Sequence, residues 1–177
     1  MREYIAIVEA AALTESFSNA LFHGTDLFGA ILILEDNTIK AHASLDGSSG
    51  GDPHGVSLTR DYRLAAKVGE WYDRAFPVVF VLDADRLKSR FKVTPRRDPN
   101  ADTDEKEEFV SRDIAGIEQY IVSINTDASI FDDLIDEAET HTEIFDETKS
   151  YPMTAEQWIA GIEALKRHPK LNAVLPR

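Results

Sequence analysis

The sequence predicts a mixed α+β fold, in which small mixed or antiparallel sheets are split around a cleft and a helical extension follows. Short segments of strand character, joined by polar loops, fill residues 20–125, and helix signals interrupt them only after Asp26 and Asp61. From Asp127 onward the apolar residues recur at helical spacing instead. The chain is therefore divided into three parts: a leading helix and linker (1–19), a core (20–127), and an acidic helical extension (128–177) packed on that core.

The first part of the core begins as strand, turn and helix. A brief extended run over 20–23 predicts a strand, and Asp26 is placed to cap an apolar helix over 27–34. A second strand is expected at 38–41. The small polar and glycine residues of 44–54 cannot pack a core, so they predict a loop.

The next elements alternate in the same way. A strand ending at Thr59 carries Ser57 and Thr59 on one face. Asp61 then caps a helix that reaches Tyr72. Residues 77–82 are apolar almost without interruption, so this strand is expected at the centre of a sheet, covered on both faces. The remaining elements are, in chain order, a turn or short helix at 83–89, strands at 91–94, 107–110 and 120–124, and helices after Asp127 and after the Thr154 cap.

Composition and charge exclude several classes of protein. The 177 residues include 32 acidic against 19 basic ones, which gives a net charge of −13 and argues against duplex DNA as the main ligand. Cysteine is absent, so the chain has no disulfide, zinc–thiolate site or cysteine nucleophile. No apolar run is long enough to cross a membrane, and acids interrupt the first hydrophobic stretch, so a cytoplasmic protein is expected.

Three polar segments carry the candidate site. They are Leu21-Phe-His-Gly-Thr25 at a strand end, Gly55-Val-Ser-Leu-Thr-Arg-Asp61 leading into a helix, and Glu105-Lys-Glu-Glu-Phe-Val110 entering a later strand. Together, in this order, they resemble the ADP-ribosyltransferase superfamily over about residues 20–125. The His-Gly-Thr segment is similar to the first motif of the poly-ADP-ribose polymerase and diphtheria-toxin branch and of the tRNA 2′-phosphotransferases. The segment 20–125 as a whole is also similar to small ADP-ribosyltransferase-like proteins of bacteriophages. This resemblance implies that the protein is located in the host cytoplasm or in the virion.

The resemblance implies that NAD, used as a substrate, is split at its nicotinamide–ribose bond and that ADP-ribose passes to a protein or nucleic-acid acceptor. Breaking this bond builds positive charge on the ribose ring, and a fixed carboxylate stabilises that charge. Glu108 is the first candidate for this carboxylate. Glu107, on the opposite face of the same strand, is the alternative. The reaction needs no metal, and His42, His141 and His168 show no metal-ligand spacing.

Further residues take binding roles by the same resemblance. His23 donates to a ribose hydroxyl, Gly24 lets nicotinamide approach the main chain, and Thr25 supports His23. Ser57 and Thr59 order the wall of the site. The remaining candidates are Arg60 for an NAD phosphate, and Tyr62 or Tyr72 for stacking on nicotinamide, because Ser57 stands where the polymerase branch has tyrosine.

Two other functions stay open. An RNA 2′-phosphotransferase would need basic residues around its pocket, and the candidates are Arg60, Arg63, Arg96, Arg97 and Arg112. A catalytically silent virion or regulatory protein would instead bind a partner through the acidic extension. The apolar residues of that surface would be Phe131, Leu134, Ile135 and Phe145.

Overall fold

The computed structural model describes residues 19–41, 55–70, 76–95, 107–140 and 153–172. The predicted leading helix and the glycine-rich loop lie outside these ranges. Within them, the elements are β1 (Ala20–Asp26), α1 (Leu27–Glu35), β2 (Thr38–Ile39), β3 (Val56–Thr59), α2 (Tyr62–Glu70), β4 (Pro77–Asp83), α3 (Ala84–Arg90), β5 (Thr94–Pro95), β6 (Glu107–Val110), β7 (Ile114–Ala115), β8 (Ile121–Asn125), α4 (Phe131–Thr140), α5 (Ala155–Lys166) and β9 (Leu171–Asn172). Short 3-10 turns precede β8 and α4. The predicted α+β class is confirmed.

The helix starts follow the side chains that cap them. The Asp26 carboxylate accepts a hydrogen bond of 2.6 Å from Gly29 N and so begins α1 at the predicted residue. Asp61 accepts from Arg63 N at 2.8 Å and begins α2. Thr154 and Gln157 form a reciprocal capping box at the start of α5.

The described strands form a seven-stranded sheet in the order β5-β6-β3-β1-β4-β8-β9, and β2 pairs with β7 in a separate ribbon. Neighbouring strands are antiparallel except β8 and β9. β4 lies near the middle and its residues from Val78 to Leu82 are buried, as predicted. The expectation of small sheets split around a cleft is corrected here, because one sheet contains seven of the nine described strands.

This sheet is divided between β1 and β3. β1 pairs with β4 along all seven of its residues, and β3 pairs with β6 along all four. β1 and β3, in contrast, share a single register pair, Phe22 with Thr59. The sheet thus consists of a first half-sheet (β5, β6 and β3) and a second half-sheet (β1, β4, β8 and β9). We call the boundary between β1 and β3, beyond the pair of Phe22 and Thr59, the seam.

Helices cover both faces of the sheet. On one face, α1 and α5 pack together, with the rings of Phe28 and Trp158 stacked at 6.4 Å between centroids. On the other face, α2 covers a smaller cluster that includes Phe22, Val79 and Val81. The C-terminal residues also supply β9, which pairs with β8, so the helical extension includes an edge strand of the sheet.

Polar contacts hold this C-terminal strand in place. His168 Nε2 lies 2.5 Å from Glu118 Oε1, and Lys170 Nζ donates to the Glu118 carbonyl oxygen at 2.6 Å. Burial by itself would raise the pKa of the Glu118 carboxyl. The hydrogen bond from His168 and the charges of His168 and Lys170 outweigh it and lower the pKa.

The lowered pKa of Glu118 makes a pH-dependent contribution to stability. The contribution is fully present above the unfolded-state pKa and is lost as the pH falls through the lower folded-state value. We expect Glu118→Gln to lower the free energy of unfolding near pH 7 by about 0.2–1 kcal/mol, because the carboxylate is partly exposed. Urea unfolding near pH 7 and near pH 3 measures this. Glu139→Gln, an exposed change on α4, is the control. If Glu118→Gln lowers the free energy of unfolding equally at both pH values, the lowered pKa of Glu118 is not the cause.

Candidate functional site

The three predicted motifs lie on neighbouring strands. His23 is in β1, Ser57 in β3, and Glu107 and Glu108 in β6, which are adjacent in the order β6-β3-β1. His23 and Ser57, which are in contact, are 34 positions apart along the chain, and Ser57 and Glu107 are 50 positions apart. Strand pairing, and not local sequence, therefore brings the motifs together.

Two hydrogen bonds connect these strands: the first crosses the seam from β1 to β3, and the second joins β3 to β6. His23 Nδ1 lies 3.1 Å from the Ser57 carbonyl oxygen. Since a carbonyl oxygen only accepts, Nδ1 is the donor. The Ser57 hydroxyl donates to Glu107 Oε1 at 2.5 Å. His23 thus bonds the main chain of Ser57, and Glu107 bonds its side chain; we call these three residues the seam triad.

The register of β3 and β6 decides which glutamate belongs to this group. Thr59 is opposite Glu107, and Leu58 is opposite Glu108. Directly opposed residues of antiparallel strands share a face, and successive residues alternate. Glu107 therefore lies on the face of Ser57 and Thr59, while Glu108 lies on the other face with Leu58.

Glu108 has a different set of partners. It is 8% exposed, and Arg60 Nε donates to its Oε1 while Lys88 Nζ lies 3.5 Å from its Oε2. Two cations thus neutralise this buried carboxylate, as a buried charge requires. The same contact occupies Arg60, the residue predicted to meet an NAD phosphate. Sequence reasoning did not single out Lys88, since nothing in the local sequence of α3 distinguishes it from an exposed helix lysine.

Gly24 lies under α2. A Cβ built on Gly24 would be 1.8 Å from the Ala65 carbonyl oxygen, so this residue must lack a side chain for α2 to pack on β1. This packing explains the glycine without reference to a ligand. Thr25 lies beside the first turn of α1, where its Oγ1 would be 2.2 Å from a Cβ on Gly29.

Thr59 and Tyr62 lie in structural positions. Thr59 is buried and its hydroxyl accepts from Asp61 N at 3.0 Å, which closes the turn into α2. The Tyr62 ring packs edge-on against Phe22, with centroids 5.5 Å apart, and its hydroxyl accepts from Asn125 Nδ2 at 3.3 Å. Burial raises the pKa of Tyr62, and the Asn125 contact offsets part of this. Tyr72 lies outside the described residues.

The structure also shows the positions of several residues considered for an RNA 2′-phosphotransferase and for a silent, partner-binding protein. Arg112 donates to the Arg90 carbonyl oxygen and lies over the ring of Phe91, so it stabilises local structure. Phe131 is fully buried, and Leu134 and Ile135 pack against the main core, so these side chains do not form an exposed surface. Arg96, Arg97 and Phe145 lie outside the described residues, as do His42 and His141.

Within the described ranges, no cluster of three or more histidine, cysteine or acidic side chains is arranged to hold a metal ion. None of the helices in this part of the chain combines the length and apolar character needed to span a membrane. Comparison of the chain with family models, curated proteins and solved structures finds no match.

Proposed function

We propose that this protein transfers ADP-ribose from NAD to a macromolecular acceptor and releases nicotinamide, with Glu107 as the catalytic carboxylate. The observation that carries the proposal is the seam triad. A histidine and a glutamate from two motifs bond the main chain and the side chain, respectively, of a serine from a third motif, and that serine lies on the strand beside the seam. These are the residue types and the order in which the resemblance places a site for splitting NAD.

The chemistry assigns a role to the carboxylate. The bond between ribose C1′ and the nicotinamide nitrogen breaks, and its electron pair leaves with neutral nicotinamide. The ribose ring becomes cationic in the transition state, and a carboxylate held beside it lowers the barrier. A nucleophilic atom of the acceptor then bonds to C1′ and loses its proton to solvent or to a base.

Glu107 suits this role better than Glu108. Its Oε1 accepts from the Ser57 hydroxyl, which orients the carboxylate and links it to the strand that His23 contacts. Glu108 lies on the other face of β6 and shares its charge with Arg60 and Lys88. A carboxylate already neutralised by two cations stabilises a third positive charge less well.

His23 suits the binding of a sugar hydroxyl. Because Nδ1 donates to the Ser57 carbonyl oxygen, the orientation of the His23 ring is fixed beside β3. In this proposal the oriented ring forms a hydrogen bond with a ribose hydroxyl of NAD. The contact is made in both the ground and the transition state, so it contributes to affinity for NAD.

Thermal unfolding with NAD tests the binding step. At 100 times its Kd, NAD is expected to add about 2.7 kcal/mol of stability, which raises the Tm by roughly 5–10 °C for a chain of this size. His23→Ala is expected to reduce this rise, while Glu139→Gln on α4 leaves it unchanged. A Tm that does not respond to millimolar NAD would overturn the proposal.

A further inference from the structure

Helix α2 connects the two half-sheets across the seam. It begins at Tyr62, directly after the turn that ends β3, and it packs on β1 and β4 of the second half-sheet. Its approach to β1 is close enough to require glycine at position 24. Since β1 and β3 share one register pair, the position of α2 has a large part in setting how far apart they lie.

The start of α2 is fixed to a distant strand. Asn125, in β8, donates from Nδ2 to the Tyr62 hydroxyl at 3.3 Å. β8 is separated from β3 by β1 and β4 in the sheet. One partly buried hydrogen bond therefore joins the beginning of α2, beside β3, to a strand on the other side of β1 and β4.

Asparagine at position 125 destabilises the folded protein relative to an apolar residue of similar size. It is 0% exposed, and its Oδ1 has no hydrogen-bond partner among the residues that the structure describes. A buried polar atom without a partner costs free energy, and an apolar side chain of similar size would avoid that cost. What asparagine supplies instead is a directional bond that fixes Tyr62 in one place.

The turn between β3 and α2 couples the position of α2 to that of Ser57 in the candidate site. Asp61 N donates to the Thr59 hydroxyl at 3.0 Å, and the Asp61 carboxylate accepts from Arg63 N at 2.8 Å. The last residue of β3 and the first turn of α2 therefore move as one unit. Ser57 is two residues before Thr59 in the same strand, so its carbonyl and hydroxyl follow any displacement of α2.

We propose that Tyr62 and Asn125 are positioning residues that fix the width of the seam, and with it the geometry of His23, Ser57 and Glu107. Their effect on catalysis rests on the proposed function; their effect on the seam does not. In this proposal neither residue contacts substrate; the Tyr62 ring, a sequence candidate for stacking on nicotinamide, packs against Phe22 instead. A misplacement of about 1 Å in a site of this kind is expected to lower kcat by about 10- to 100-fold.

Two variants separate positioning from stability. Tyr62→Phe keeps the ring against Phe22 and removes the hydroxyl, which leaves Asn125 Nδ2 unpaired. The double variant Tyr62→Phe with Asn125→Leu removes both polar groups, so its Tm is expected to match or exceed that of the wild type. Tyr120→Phe is the matched control, since the ring of Tyr120, like that of Tyr62, packs edge-on against a phenylalanine, here Phe91.

The first measurement is a distance between the half-sheets. The chain has no cysteine, so spin labels attach only at cysteines that are introduced. The two label sites are Ser111→Cys, exposed after β6, and Val122→Cys, exposed in β8. The wild type and Tyr120→Phe are expected to give one narrow distance distribution. Tyr62→Phe and the double variant are expected to give a shifted or broadened one. An unchanged distribution in the double variant overturns the proposal.

The second measurement is nicotinamide release from NAD well below the Tm of each variant. We expect the double variant to lose kcat about 10- to 100-fold while KM changes less. A double variant with wild-type kcat overturns the catalytic part of the proposal. Failure of the wild type to release nicotinamide would instead contradict the proposed function, and the distance measurement would still decide the role of Tyr62 and Asn125 in the seam.

Discussion

Glu107→Gln is expected to lower kcat for nicotinamide release by about 10²–10³, while NAD binding is retained. Glutamine keeps the oxygen that accepts from the Ser57 hydroxyl, so the local geometry is preserved. The substitution removes the negative charge that stabilises the cationic ribose in the transition state. Steady-state release of nicotinamide, together with the NAD-induced rise in Tm, measures the two effects separately.

Glu108→Gln is the matched control, because it makes the same chemical change one residue further along β6. It weakens the contacts with Arg60 and Lys88, so the protein is expected to unfold at a lower temperature. Turnover below that temperature is expected to stay near the wild-type value. If Glu108→Gln is inactive and Glu107→Gln is not, the catalytic role belongs to Glu108.

Gly24→Ala is expected to destabilise the protein by about 3 kcal/mol, which corresponds to a fall in Tm of roughly 6–12 °C. The added methyl group would lie 1.8 Å from the Ala65 carbonyl oxygen, so α2 must move away from β1. The expected effect exceeds that of most single substitutions because the obstructing atom belongs to the backbone of a helix and cannot rotate away. Thermal and urea unfolding measure it.

A second substitution identifies the atom responsible. Ala65→Gly removes the Ala65 side chain and leaves its carbonyl oxygen, so the double variant Gly24→Ala with Ala65→Gly is expected to remain destabilised. If Ala65→Gly restores the stability of Gly24→Ala, a side-chain contact causes the loss. If Gly24→Ala alone has the stability of the wild type, α2 does not pack on β1 as described here.

Local signals predicted much of the fold. The caps at Asp26, Asp61 and Thr154 and the apolar run of β4 are encoded by residues close together in sequence, and the structure has them in place. The two-residue strands β7 and β9 are too short to show any periodicity, so sequence did not predict them. The pairing of the strands into one sheet depends on contacts between distant segments.

For the candidate site too, local sequence predicted some features, and contacts between distant segments determine the others. The motifs predicted that His23, Ser57 and a glutamate of β6 belong together, and hydrogen bonds link His23, Ser57 and Glu107. Sequence did not decide between Glu107 and Glu108, because alternate residues of a strand face opposite sides and only the register with β3 assigns the side. The contact of Tyr62 with Asn125 spans 63 residues and leaves no local signal.

Transfer of ADP-ribose with Glu107 as the catalytic carboxylate is tested by incubating the wild type and Glu107→Gln with a cell lysate and NAD that carries one label in nicotinamide and another in adenine. The wild type is expected to release the nicotinamide label and to transfer the adenine label to a macromolecule, while Glu107→Gln is expected to do neither at a comparable rate. Intact NAD with the wild type, or equal release and transfer by both proteins, would contradict this mechanism.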